Sequence, residues 1–186
     1  DEEKEKNDIY TKEHIAVARE AAKKSIVLLK NEDAILPVSK NIKSIAIIGP
    51  FADNKDAPLG NWRAKATYNS AVSLLEGVKA KVGEKTKVYY EKGIELTVPT
   101  VKPGENQFLY PLEINTEDRS GILKAVEAAL KAEIVFLAIG EDAYQSGEGR
   151  SQTKIGFSGL QNELLEAVYK VNKNIVLVLS NGRPMD

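Results

Sequence analysis

Three short apolar stretches, Ser44–Ile48, Ile134–Ile139 and Ile175–Leu179, stand out from a chain that otherwise mixes polar and apolar positions at helical spacing. Strands buried on both faces read as continuous apolar runs, because neither side chain direction meets water. Each run is closed by glycine: Gly49-Pro50, Gly140 and Asn181-Gly182. Between the runs lie helical patterns. Thr11 is placed to cap a helix to about Asn31, with Ile15, Ala18, Ala22, Ile26 and Leu29 on one face. A second helix is predicted from Ser70, with Leu74, Leu75, Val78 and Val82 inward and Gly83 as its stop. A third covers about Arg119–Lys131, and a fourth opens on a capping box, Ser158 with Gln161, ahead of Leu164, Val168 and Val171. Val88–Tyr90 reads as one more strand. The stretch Ile94–Asp118, with Pro99, Pro103 and Pro111, shows no clear period; a loop of that length is usually functional or an insertion.

Apolar strands separated by amphipathic helices predict an α/β fold: a three-layer α/β/α sandwich on a mostly parallel sheet, with the three apolar runs as its central strands. The 186 residues suit one such domain, with residues 1–12 as a charged linker from a preceding domain and 13–186 as the α/β domain. A net charge of −1 argues against nucleic-acid or membrane partners held by bulk electrostatics. Without cysteine, disulfides and thiolate chemistry are excluded.

The chemistry that remains is narrow. The single histidine, His14, sits inside the first predicted helix, and no Gly-x-Ser-x-Gly elbow accompanies it, so a serine-hydrolase reading fails. One histidine and no Asp-x-Asp-x-Asp-Gly run leave little for a metal. Gly49-Pro50-Phe51 follows a strand as a nucleotide loop would, but Pro50 lacks a backbone donor and Phe51 adds bulk where a phosphate must approach. No cofactor is expected. Carboxylates are left. Sites in open α/β sheets lie beyond the carboxyl ends of the strands, and Glu141 and Glu148 both follow the Ile134–Ile139 run. Glu141, directly after Gly140, reads as a fixed acceptor for loop amides. Glu148, between Gly147 and Gly149, is unhindered and is the better candidate for proton transfer, with a solvated acidic loop as the bland alternative.

The order AREAAKKSIVLLKNEDAILP, SIAIIGPFAD, GNW, IGE…SGEGRS and LVLSNGRP resembles the carboxyl-terminal α/β-sandwich domain of family 3 glycoside hydrolases, the β-glucosidase group, over about Ala16–Pro184. The resemblance implies a retaining, exo-acting β-glycosidase in which a preceding (β/α)₈ barrel supplies an aspartate nucleophile and this domain supplies the acid/base from a loop over the barrel mouth. It places that role on Glu148, with Glu141 in reserve. It also implies a sugar-facing Trp62 in Gly60-Asn61-Trp62, where a core or interdomain tryptophan is the alternative. Asp53 is expected to brace the loop after the first strand. The domain is expected to be incomplete at its carboxyl end, with the last strand an open edge. The implied partners are a β-glucoside or oligosaccharide and the barrel, and the implied parent is secreted or periplasmic. The rival reading is a flavodoxin-like binding or scaffold module without catalytic residues.

Overall fold

The computed structural model describes residues 1–32, 34–64, 66–98 and 112–186. It divides into two compact units, Asp1–Pro37 and Val38–Asp186. In the first, α1 (Glu2–Asp8) is capped by the Asp1 carboxylate, and α2 (Lys12–Ser25) by the Thr11 hydroxyl, which accepts from the His14 N–H at 3.3 Å. The cap is where the sequence puts it, but the helix stops at Ser25 rather than near Asn31. The Ser25 hydroxyl turns back to the Ala21 carbonyl at 2.8 Å, and the next residues are the β-branched pair Ile26-Val27, which favours extended backbone. His14 is exposed on this helix.

The second unit is built on four parallel strands in the order β2-β1-β5-β6: β1 (Ser44–Ile48), β2 (Lys87–Glu91), β5 (Ile134–Gly140) and β6 (Ile175–Ser180). A separate antiparallel pair, β3 (Thr97–Val98) with β4 (Glu113–Ile114), lies inside the long irregular stretch; the predicted loop positions Pro99, Pro103 and Pro111 lie outside the described residues. One face of the sheet, presenting Ala46, Ile48, Val135, Leu137 and Ile139, is sealed by α4 (Ile122–Leu130) and α5 (Gln161–Val171) through Ala125, Ala129, Leu164 and Val168. Small alanines on α4 let the helix approach the strands closely. Over the other face lie α3 (Leu74–Val82) and the loop after β1, where Phe51, Pro58, Leu74, Ala138 and Val178 line a cavity of about 140 Å³. The three-layer α/β sandwich predicted from the apolar runs is the observed architecture.

Two details differ. The run Ile175–Leu179 is a strand but not a central one. As β6 it borders the sheet, and Leu177, in register with fully buried Leu137, is 41% exposed. The run cannot distinguish a strand buried by two neighbours from one that is apolar and half-covered. The predicted capping box of α5 does not form either: the Ser158 hydroxyl accepts from Gln145 Nε2 at 3.1 Å, and Gln161 turns inward. The Gln161 side chain is fully buried, its Oε1 accepting from Gly140 N–H at 2.8 Å and its Nε2 donating to Gly140 C=O at 2.9 Å. By contrast α3 carries a complete capping box between Ser73 and Glu76, three residues later than the predicted start at Ser70.

Candidate active site

The loops that leave the carboxyl ends of β1, β5 and β6 converge. After β1 the chain turns through Gly49 and Phe51, whose N–H bonds the Ala138 carbonyl of β5 at 3.4 Å. Asp53 accepts from the Ser73 hydroxyl at 2.6 Å, bracing this loop to the start of α3 as expected. A short 3₁₀ turn, Ala57–Leu59, then leads into Gly60-Asn61-Trp62-Arg63. Trp62 is 67% exposed, so among the alternatives for it a buried core position is ruled out.

From the end of β5 comes the acidic loop. Its root is closed. Glu141 N–H donates to the Ser180 carbonyl at 2.8 Å, and the Glu141 side chain, 2% exposed, accepts at Oε1 from Arg183 Nε at 3.0 Å and Nη2 at 2.8 Å. Its second oxygen, Oε2, is buried with no hydrogen-bond partner among the described residues. Arg183, from the segment after β6, is therefore the countercharge that makes this burial tolerable. The expected acceptor role is right for Glu141, but its donor is a guanidinium rather than loop amides. Nothing in the sequence pairs residues 141 and 183; the parallel register of Gly140 opposite Ser180 does.

Beyond the root, Asp142 caps a second 3₁₀ turn, Ala143–Gln145, accepting from Tyr144 N–H at 2.9 Å while its own N–H bonds Gln145 Oε1 at 2.8 Å. Burial raises the Asp142 pKa above the ordinary aspartate value; the Tyr144 N–H works the other way, Asp56 adds to the rise and Arg63 opposes it. The tip, Gly147-Glu148-Gly149, is exposed. It rests on the β1 loop: Asn61 Nδ2 donates to the Ser146 carbonyl, and a side chain at Gly147 (φ +108°) would put its Cβ 2.2 Å from Asn61 Nδ2 and 3.4 Å from Trp62 Nε1. Positive φ and this close approach together favour glycine there. Trp62 and the Glu148 loop, 86 positions apart, are thus neighbours, whereas Glu141 faces into the fold.

Between the loops lies a charged cluster that the sequence reading missed. Arg63 Nη1 bridges to Asp56 Oδ2 at 2.5 Å, and Arg63 Nη2 donates to the Tyr144 hydroxyl at 2.6 Å, with both Arg63 and Asp56 largely buried. Burial works against the Arg63 charge, but its bonds to Asp56 and Tyr144 more than offset this and lift its pKa above the usual arginine value. Among the described residues no group of three or more histidine, aspartate or glutamate side chains is placed to hold a metal ion.

The profile of the glycosyl hydrolase family 3 C-terminal domain matches residues 26–186. The chain belongs to glycoside hydrolase family 3. The family 3 domain is 37% identical over 177 residues to a periplasmic β-glucosidase of Salmonella typhimurium and 34% identical over 180 residues to a β-xylosidase of Formosa agariphila. These matches cover 92% and 94% of this chain but only 23% and 22% of the two relatives, so it spans less than a quarter of their length. Among solved structures it matches a β-glucosidase of Listeria innocua in complex with isofagomine, with a TM-score of 0.77 and 28% identity over 96% of this chain and 22% of that one. It also matches a β-glucosidase involved in saponin metabolism from intestinal bacteria, with a TM-score of 0.81 and 26% identity over all of this chain and 27% of that one.

Proposed function

We propose that this family 3 domain is the acid/base half of a longer, retaining, exo-acting β-glycosidase that removes terminal β-linked glucosyl residues. The observation that carries the reading is the seating of the exposed Glu148 loop against Asn61 and the exposed indole of Trp62, at the carboxyl ends of the strands. An indole face is a platform for the apolar face of a pyranose, and a carboxyl group on the adjoining loop would serve as proton donor to the glycosidic oxygen. An aspartate on a preceding (β/α)₈ barrel, outside this chain, would be the nucleophile. As it bonds C1, Glu148 gives its proton to the departing oxygen and the C1–O bond breaks. Glu148 then takes a proton from water as that water displaces the aspartate. Glu141, buried against Arg183, is the reserve for this role. A periplasmic or secreted parent is proposed on the likeness to the Salmonella enzyme; among the described residues no helix is long and apolar enough to cross a membrane.

The decisive experiment is Glu148→Gln in the full-length enzyme. The amide keeps the shape but cannot donate a proton, and general acid–base help is worth about 10²–10⁴-fold. The loss is expected on alkyl or glycosyl leaving groups and should shrink for dinitrophenyl glucoside, whose departing oxygen needs little protonation. Azide should restore turnover and yield a β-glucosyl azide. If Glu141→Gln shows this pattern and Glu148→Gln does not, the role moves to Glu141; if neither does, the loop is not the acid/base element and the binding-module reading takes its place. The chain alone should not hydrolyse aryl β-glucosides, because one carboxyl group cannot complete a double displacement.

A further inference from the structure

We infer that Arg63 is a positioning residue that locks the sugar platform and the acid/base loop into one rigid unit, acting through the Tyr144 hydroxyl. The inference rests on the assignment of Glu148 and Trp62 just given. Arg63 directly follows Trp62, and Tyr144 stands four residues ahead of Glu148, so the Arg63–Tyr144 bond joins the two loops close to both working side chains. The guanidinium fork suits this: one Nη holds Asp56, at the start of its own loop, while the other reaches across to Tyr144. Nη1 also donates to the Asp56 carbonyl at 3.2 Å, so the fork fixes its own loop at backbone as well as side chain.

Tyr144 is itself held. Its N–H bonds Asp142 at the root of the loop, and Gln145 beside it is tied to Ser158 and, through its carbonyl, to Gln152 Nε2 at 2.9 Å. The second crossing point, Asn61 to the Ser146 carbonyl, lies two residues from each of Arg63 and Tyr144. Two crossings at that spacing stop the loops from pivoting about one another, which a single contact would allow. A lysine at 63 has its donors on a single nitrogen, without the rigid fork that spans Asp56 and Tyr144, and would leave the pivot freer. Trp62 is the chain's only tryptophan, so its emission reports on one end of this brace without interference.

The test uses Arg63→Met, Arg63→Lys and Tyr144→Phe in two settings. In the 186-residue chain, acrylamide quenching of Trp62 is compared with wild type, with thermal unfolding as the control for folding. Quenching should rise in all three variants, and in Tyr144→Phe through the loss of one hydroxyl 82 positions away. Unchanged quenching in Tyr144→Phe overturns the brace whatever the enzyme does, and this variant carries the test if Arg63→Met fails to fold. In the full-length enzyme, Arg63→Met and Tyr144→Phe should lower kcat on alkyl glucosides by about 10²-fold, the scale of a misplacement of about 1 Å. The loss on dinitrophenyl glucoside should be much smaller, as for Glu148→Gln measured in parallel. A loss equal for both leaving groups, with Glu148→Gln still discriminating between them, overturns the inference and leaves the acid/base assignment standing. If Glu148→Gln does not discriminate, the assignment itself falls and the inference with it.

Discussion

The root and the tip of the β5 loop carry the same side chain seven residues apart, and the fold gives the two opposite fates. Glu141 leaves the strand one residue past Gly140, where the sheet is still ordered, and is drawn into a buried pair with Arg183 from the neighbouring strand's end. Glu148 lies beyond a capped 3₁₀ turn and between two glycines, and is exposed next to Gly147, which borders Trp62. A carboxylate at the root is held by the sheet and serves it. One at the tip is free of the sheet and available to a ligand. Changes at the root should therefore show in stability, and changes at the tip in chemistry.

The largest stability loss should come from Gly140→Ala. The added Cβ would lie 1.9 Å from the Ser180 carbonyl oxygen at φ +150°, so β5 and β6 would have to part where Glu141 is anchored. A loss of about 4 kcal/mol or more in urea unfolding is expected, in the range reserved for such core disruptions. Arg183→Met should follow at about 3 kcal/mol, because it leaves a buried carboxylate without its countercharge. Glu141→Gln combined with Arg183→Met should recover part of that loss, the non-additivity that marks a coupled pair. Glu148→Gln should stay within about 0.5 kcal/mol of wild type, as an exposed substitution does. If it destabilises as Arg183→Met does, the contrast between root and tip is broken.

How much of this was legible in the sequence follows from range. The three apolar runs were strands because burial leaves a local pattern, and the helix cap at Thr11 was local as well. The edge position of β6 was not local: it depends on which strands flank it. Gln161 illustrates the same limit. Its spacing from Ser158 satisfies a capping box, yet the backbone of Gly140, 21 positions away, offers a donor and an acceptor together in a dry site and takes it. Glu148 and Trp62 were singled out by motif and resemblance, whereas the contacts of Arg63 with Asp56 and Tyr144 exist only because two loops meet, and no spacing announces that.

At the tip, Gly147→Ala should cost about 1–2 kcal/mol, combining left-handed strain with the loss of the Asn61 bond to Ser146 as the amide swings aside. Because the obstructing atom ends a flexible side chain, the loop should shift rather than the domain unfold. In an Asn61→Ala background the same substitution should therefore cost less. Equal cost in both backgrounds would mean that the loop is held by something other than Asn61, and would move the boundary between root and tip outward past Gly147.

The smallest effect concerns Asp142, at that boundary. Burial raises its pKa in the folded chain, so the native state holds this proton more tightly than the unfolded one. Its contribution to stability is therefore full below the pKa of an unfolded aspartate and is lost as pH rises through the folded value. Asp142→Asn removes the titration while its carbonyl oxygen can still accept from Tyr144 N–H. The variant should gain on wild type between strongly acidic and neutral pH, by less than the change expected for Gly147→Ala, in melting temperatures measured across that span. A variant that instead loses ground as pH rises would show that the ionised carboxylate is favoured there, with the Arg63 charge outweighing burial. Asp142 would then belong with the charged cluster under the tip rather than with the buried root.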